Sequence, residues 1–245
     1  MDRKLARAGY NVYGQTIGVL ILETSFPRIP GSIGNLDTFS FPVVHKVIKG
    51  SNVNNIILEP DLSLVQPFID GAKELEKDGA KGITTSCGFL GMFQKEVADA
   101  VSIPVFCSSL LQVPMAVRML KKDQKVGIMT ADSRNLTEKN LRPMGIDESV
   151  KVSIAGMEKS PEFWGVFFED KSKMDIKKME AEAVKVALNL VKREPIGAIV
   201  LECSTLPPFA PAIQKATRLP VFDFVTLTNL MYEVVCRKEF PEYFD

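Results

Sequence analysis

The chain has 245 residues, of which 46% are hydrophobic and 24% charged, enough to bury one sizeable core or two smaller ones, and nothing marks it as disordered or fibrous. Lys plus Arg balance Asp plus Glu at 30 each, and no basic block clusters with aromatic residues, which leaves no electrostatic footprint for nucleic acid or an anionic membrane. Small-molecule partners are expected instead.

The basic start, MDRKLARAGYNVYG, is followed by an apolar run over Ile17 to Leu22 that meets Glu23 instead of a small-residue cleavage site. No segment approaches the roughly 18 apolar residues of a membrane span. Four cysteines, widely spaced and without a C-x-x-C pair, fit neither a zinc site nor a disulfide framework. Reduced thiols in a cytoplasmic chain, with no metal and no cofactor, are the expectation.

Thr16 to Leu22 reads as a strand buried on both faces of a parallel sheet. Glu23 to Pro42, with three prolines and two glycines, is expected to be a long shaped loop leaving the carboxyl end of that strand. Open α/β sheets bind ligands at that edge, so Thr24, Arg28 and Asn35 are candidate substrate contacts. Val53 to Leu58 reads as a second strand, and Asp61 as the cap of a helix reaching about Lys77, stopped by Gly79. Lys81 to Ser86 is a third strand ending at Cys87, followed by a helix to about Val101. Pro104 to Cys107 and Ser109 to Lys122 repeat the strand and helix pattern, which predicts parallel strands with right-handed crossovers.

The second half opens as the first does, Gln124-Lys-Val-Gly127 taking the form of Gln15-Thr-Ile-Gly18. Its expected elements are a strand ending at Ala131-Asp132-Ser133, a helix to about Met144, and a short strand over Val150 to Ala155. An irregular aromatic region follows over Gly156 to Lys173, then a clear amphipathic helix over Asp175 to Arg193. Gly197 to Phe222 then repeats Gly82 to Phe106. In that alignment Ile83 falls on Ile199, Cys87 on Cys203, Phe93 on Phe209, and Pro104-Val105-Phe106 on Pro220-Val221-Phe222. A last helix is expected over about Thr226 to Lys238, carrying Cys236.

Two halves with one thiol each is the central pattern. Both Cys87 and Cys203 sit where a buried strand hands over to a helix, so amide N–H groups and the helix dipole are expected to lower the thiol pKa from about 8.5. Two thiols facing one cleft suit a two-base exchange: one thiolate removes the proton beside a carboxylate, and the other thiol delivers a proton to the opposite face. The amides of Gly88, Phe89, Ser204 and Thr205 and the hydroxyls of Thr85, Ser86 and Thr205 are the donors for the developing charge. Glu202 is a candidate modulator of thiol pKa, with a solvent-facing carboxylate as the plainer reading. Ser204 and Thr205 serve equally well as capping residues. Cys107 and Cys236 are read as core residues, and His45, the single histidine, has no motif around it.

TTSCGF, VGIMTADSRNLT, LECSTLPPF and the FPRIPGSIGN loop together resemble the aspartate/glutamate racemase superfamily, including its hydantoin racemase-like branch. The resemblance implies two similar α/β domains, each a parallel sheet flanked by helices, related by a pseudo-two-fold axis with the active site between them. Residues 1–121 with about 226–245 would form the domain holding Cys87, and residues 122–225 the domain holding Cys203. It also implies a cofactor-independent racemase or epimerase of a small α-substituted carboxylic acid, an amino acid or hydantoin-like compound, acting as a homodimer. Glutamate and aspartate racemases typically follow the first cysteine with Asn-Thr, whereas Cys87 here is followed by Gly88-Phe89, a departure that points away from a free amino acid. A maleate-type cis-trans isomerase with a nucleophilic cysteine, and a non-catalytic two-lobed binder of small anions, are the alternatives. Retention of both thiols speaks against a decarboxylase of the arylmalonate type.

Overall fold

The computed structural model describes residues 8–9, 13–14, 16–169 and 171–240; most of the basic N-terminal stretch and the last five residues lie outside them. Among the described residues, eight strands form two parallel sheets of four. The first contains β1 (Ile17–Leu22), β2 (Val43–Ile48), β3 (Gly82–Thr85) and β4 (Val105–Phe106) in the order β2-β1-β3-β4. The second contains β5 (Lys125–Thr130), β6 (Val152–Gly156), β7 (Ile196–Leu201) and β8 (Val221–Phe222) in the order β6-β5-β7-β8. The two orders are the same, so the repeat read from the sequence is a repeat of topology. In each sheet the winding reverses between the two central strands, and the crevice outside their carboxyl ends is where such sheets take ligands.

All six residues of β1 and of β7 are buried, as uninterrupted apolar runs require of strands covered on both faces. The helices that cover the sheets are α1 (Val65–Lys77), α2 (Gln94–Asp99) and α3 (Val113–Arg118) in the first half, with α4 (Glu138–Leu141), α5 (Pro161–Phe168), α6 (Ile176–Arg193), α7 (Ala210–Thr217) and α8 (Phe224–Val235) after them. Gly18 and Gly127 hold the same place in the two halves for a steric reason. A Cβ on Gly18 would lie 2.8 Å from Leu75 Cδ1 of α1, and one on Gly127 would lie 2.7 Å from Leu190 Cδ2 of α6. Helix α8 returns to the first sheet, where Leu227 packs with Ile17 and Phe106, and the rings of Phe41 and Tyr232 stack at 3.7 Å.

Four expectations are corrected. Val53 to Leu58 is not a strand: Asn54–Leu58 is a single π-helical turn, begun by the Asn52 side chain, whose Oδ1 accepts from the amides of Asn54 and Asn55. The second strand is instead Val43–Ile48, an edge strand whose mixed burial hid it. The region Gly156 to Lys173 is not irregular throughout, because Pro161 opens α5 and the Glu182 carboxylate accepts from the free amides of Glu162 and Phe163. The expected helix to Met144 shrinks to one α-helical turn and a 3-10 turn, and Cys236 follows α8 instead of lying within it.

Candidate active site

The chain leaves β3 through Ser86, whose Oγ accepts from the Leu22 amide at 3.0 Å, and turns at Cys87 into a 3-10 segment, Gly88–Phe93, that runs on into α2. It leaves β7 through Glu202, whose amide donates to Met129, and turns at Cys203 toward the 3-10 segment Pro207–Phe209 and α7. Equivalent strand ends therefore present the two thiols, and both line one cavity between the sheets. It is narrow, about 40 Å³.

The first half contributes Leu22, Phe26, Val53, Ile57, Cys87 and Phe89 to the cavity, and the second contributes Ala131, Phe163, Phe167, Phe168, Glu202 and Cys203. Phe26 meets Phe167 edge-on with centroids 4.8 Å apart, so aromatic contact crosses from one half to the other. The π-helical turn supplies Ile57 and α5 supplies the phenyl wall; both lie in segments whose local structure the sequence pattern misassigned. The adjacent Phe167-Phe168 pair was the one signal for that wall.

The remaining sequence candidates divide into those at the cavity and those behind it. Ser86, Gly88, Ser204 and Thr205 border it. Ser204 donates its hydroxyl hydrogen to the Ser86 carbonyl and ties the halves together, while the Thr205 hydroxyl lies 3.1 Å from Cys203 Sγ. Thr85 is spent on structure, donating to the Cys107 carbonyl at 2.6 Å. Asn35 donates to the Arg28 carbonyl and caps a 3-10 turn, and Thr24 accepts from Arg28 Nη2 at 2.7 Å beside a neighbouring shallow groove. Arg28 lies over Phe26, with Cζ 4.5 Å from the ring centroid, and its Nη1 is buried without a hydrogen-bond partner. Cys107 and Cys236 are buried in the core, and His45 faces the Ile33 carbonyl on β2. No group of three or more His, Cys, Asp or Glu that could hold a metal occurs among the described residues, and none of their helices is long and apolar enough to cross a membrane.

Glu202 does not face solvent. It is fully buried, Thr130 donates to its Oε2 at 2.7 Å, and its Oε1 has no partner. Burial pushes its carboxyl up to about 7, against the pull of the Thr130 hydroxyl and the Ala131 amide.

The thiols depart from expectation in the same direction. Burial, and then the Glu202 charge, raise Cys87 well above the ordinary thiol range despite the amides of Phe89 and Leu90. The same two causes push Cys203 up to about 12 despite Thr205. The amide donors are present, but desolvation outweighs them. Burial also draws Arg28 down to about 10, against the opposing influence of Cys87.

Comparison with known proteins places this geometry. Residues 56–229 match the family described as Asp/Glu/Hydantoin racemase. Dimethylsulfoniopropionate lyase 3 of Emiliania huxleyi (strain CCMP1516) is 32% identical over 227 residues, covering 88% of this chain; the chain spans 58% of that relative's length. Glutamate racemase isoform RacE1 from Bacillus anthracis superposes with a TM-score of 0.58 at 17% identity, over 90% of this chain and 81% of the other. Unliganded arylmalonate decarboxylase superposes with a TM-score of 0.58 at 14% identity, over 94% and 97%. At these identities the structures speak to the fold, two like α/β halves around a shared crevice, and the sequence match speaks to descent. This chain belongs to the Asp/Glu/hydantoin racemase family.

Proposed function

We propose that the chain is an enzyme that removes a proton from the carbon beside the carboxylate of a small acid, with Cys87 and Cys203 as its acid/base pair. On a substrate with a β-sulfonium group the electrons left behind expel a neutral sulfide. Dimethylsulfoniopropionate is such a substrate, and its elimination yields dimethyl sulfide, acrylate and one proton. The observation that carries this reading is the cavity, in which two thiols face a wall of phenyl rings. A sulfonium hides its charge under methyl groups, so it gains from lying on ring faces and gives up little hydration to do so. Phe26 already holds the Arg28 guanidinium in that manner. The names of the relatives support the same chemistry.

Burial and the Glu202 charge oppose ionisation of both thiols, and a cationic substrate offsets that opposition. A unit charge about 4 Å away is worth about 4 kcal/mol in a partly screened site, or roughly three units of thiol pKa. A bound sulfonium supplies that charge. The Arg28 guanidinium, which lies over the cavity-lining Phe26 ring, supplies positive charge that favours the substrate carboxylate.

A second reading, racemisation, is favoured by the equivalent positions of Cys87 and Cys203 in the two repeats, which suit proton exchange at opposite faces of one carbon. One panel separates the two. Dimethylsulfoniopropionate, both enantiomers of aspartate and glutamate, and a hydantoin are each incubated with the protein in deuterated water and followed by NMR. The proposal expects acrylate and dimethyl sulfide from the first compound alone. Deuterium at the α-carbon of an amino acid or hydantoin, with its skeleton intact, establishes the racemase reading instead; no change in any compound overturns both.

A further inference from the structure

Glu202 has no counterpart in the first half, where Ser86 holds the equivalent place and is tied to Leu22. It is joined to Cys203 by the chain and lies against the residue after Cys87: a Cβ on Gly88 would fall 2.2 Å from Glu202 Oε1 and 2.3 Å from its carbonyl oxygen. The carboxyl is thus wedged between the two cysteine turns, wholly buried, with Oε1 unpartnered at the cavity. A buried acceptor without a donor is uncommon and calls for a physical reason.

We propose that Glu202 is the proton acceptor for a cysteine thiol, so that the one negative charge of the cavity rests on its carboxylate and passes to sulfur when the proton crosses. This rests on the reading that a thiolate starts the reaction. No thiol stands within hydrogen-bond reach of Oε1, so the thiol proton crosses to it through one bridging water, leaving a carboxylic acid and a thiolate. The thiolate pair then takes the α-proton: S–H forms as C–H breaks, the C–H electrons become the double bond, and the C–S bond breaks with its pair leaving on the sulfide. The carboxylic acid returns its proton to solvent as the products depart, which accounts for the one proton released per substrate.

The groups that face Glu202 agree with this role. From the end of β5 come the Thr130 hydroxyl and the Ala131 amide, both favouring the carboxylate. From the end of β3 comes Cys87, within reach of Arg28, and from its own turn Cys203 with Thr205. Asp132, the next acid along β5, is engaged by Arg134 and Asn135. Of the site's acids, the carboxyl is the one whose titration lies near neutral pH, and its charge opposes ionisation of both thiols. Once Glu202 has lost its proton to solvent, the transfer from thiol to carboxylate stays within the cavity, and the thiolate population no longer depends on pH. Without the carboxylate a thiol must release its proton to solvent, and thiolate grows about tenfold per pH unit.

The test follows alkylation of the half-buried Cys203 by iodoacetamide, read by peptide mass, and kcat/KM for dimethylsulfoniopropionate, from about pH 6 to about pH 9. Wild type is expected to level off above about pH 7 in both, whereas Glu202→Gln climbs about tenfold per pH unit throughout. Thr130→Val, which removes a hydroxyl that favours the carboxylate, moves the wild-type bend to higher pH and stands in if Glu202→Gln fails to fold. Parallel profiles for wild type and Glu202→Gln, or a bend unmoved by Thr130→Val, overturn the assignment. If wild type releases no dimethyl sulfide but the alkylation profiles differ as stated, Glu202 keeps its role and the substrate assignment fails; sulfide release with parallel profiles is the reverse.

Discussion

The two halves are wound in the same strand order and present their cysteines from equivalent strand ends, yet the turns differ on both sides of those cysteines. Before the cysteine, the first half has Ser86, spent on a backbone amide, and the second has Glu202, buried with a free oxygen. After it, the first half has Gly88 and the second has Ser204, which donates to the Ser86 carbonyl. The differences interlock: Gly88 has no Cβ because Glu202 fills the space, and Ser204 reaches the carbonyl at the matching place across the cavity. A duplicated scaffold has thus placed two like thiols in unlike surroundings, with the added acid coming from one side.

The sharpest way to break this comparison is to fill the gap in the first half. Gly88→Ala drives a Cβ into both the carboxyl and the backbone of Glu202, and we expect about a hundredfold loss of kcat/KM with roughly 3 kcal/mol of lost stability. Ser204→Ala at the matching position removes one hydrogen bond and is expected to cost only about 1 kcal/mol. Equal effects in denaturant titrations of the two variants would show that the halves are not specialised in this way.

The buried acid also predicts a pH dependence confined to the second half. The folded-state pKa of Glu202 is raised, from 4.5 to about 7, so the folded protein holds that proton more tightly than the unfolded chain. Its stabilising contribution is complete below the unfolded value and is lost as pH rises through about 7, a change of roughly 3 kcal/mol. Wild type minus Glu202→Gln, measured by denaturant unfolding at each pH, isolates this change; a difference that stays flat between those limits contradicts it. The phenyl wall, also from the second half, gives the smallest effect. Phe167→Ala is expected to weaken dimethylsulfoniopropionate binding about tenfold while binding of isocaproate, its neutral-tailed carbon isostere, changes less. Equal losses in calorimetric titrations would remove the case for a cation-holding wall.

Much of this was legible in the sequence because the signals were local and strong. The apolar runs of β1 and β7, the matched glycines Gly18 and Gly127, and the matched cysteines each follow from burial or steric contact within one half. Signals that depend on contact between distant segments were not legible. Glu202 reads as a solvated carboxylate because it follows a strand, and only the apposition of the Gly88 turn buries it. The thiols look activated when helix-terminal amides alone are weighed, and their desolvation becomes visible only with the aromatic wall in place. Edge strand β2 was hidden by its half-exposed pattern, and the run Val53 to Leu58 misled because a side-chain cap at Asn52 overrides its β propensity.

The central claim is that two opposed thiols in one cavity carry the proton chemistry. Its most direct test is dimethyl sulfide release from dimethylsulfoniopropionate by wild type, Cys87→Ser, Cys203→Ser and Cys107→Ser, read in sealed headspace. The account predicts release by wild type and by Cys107→Ser, and a loss of at least about a thousandfold in each of Cys87→Ser and Cys203→Ser. Undiminished release by either of those two variants would contradict it.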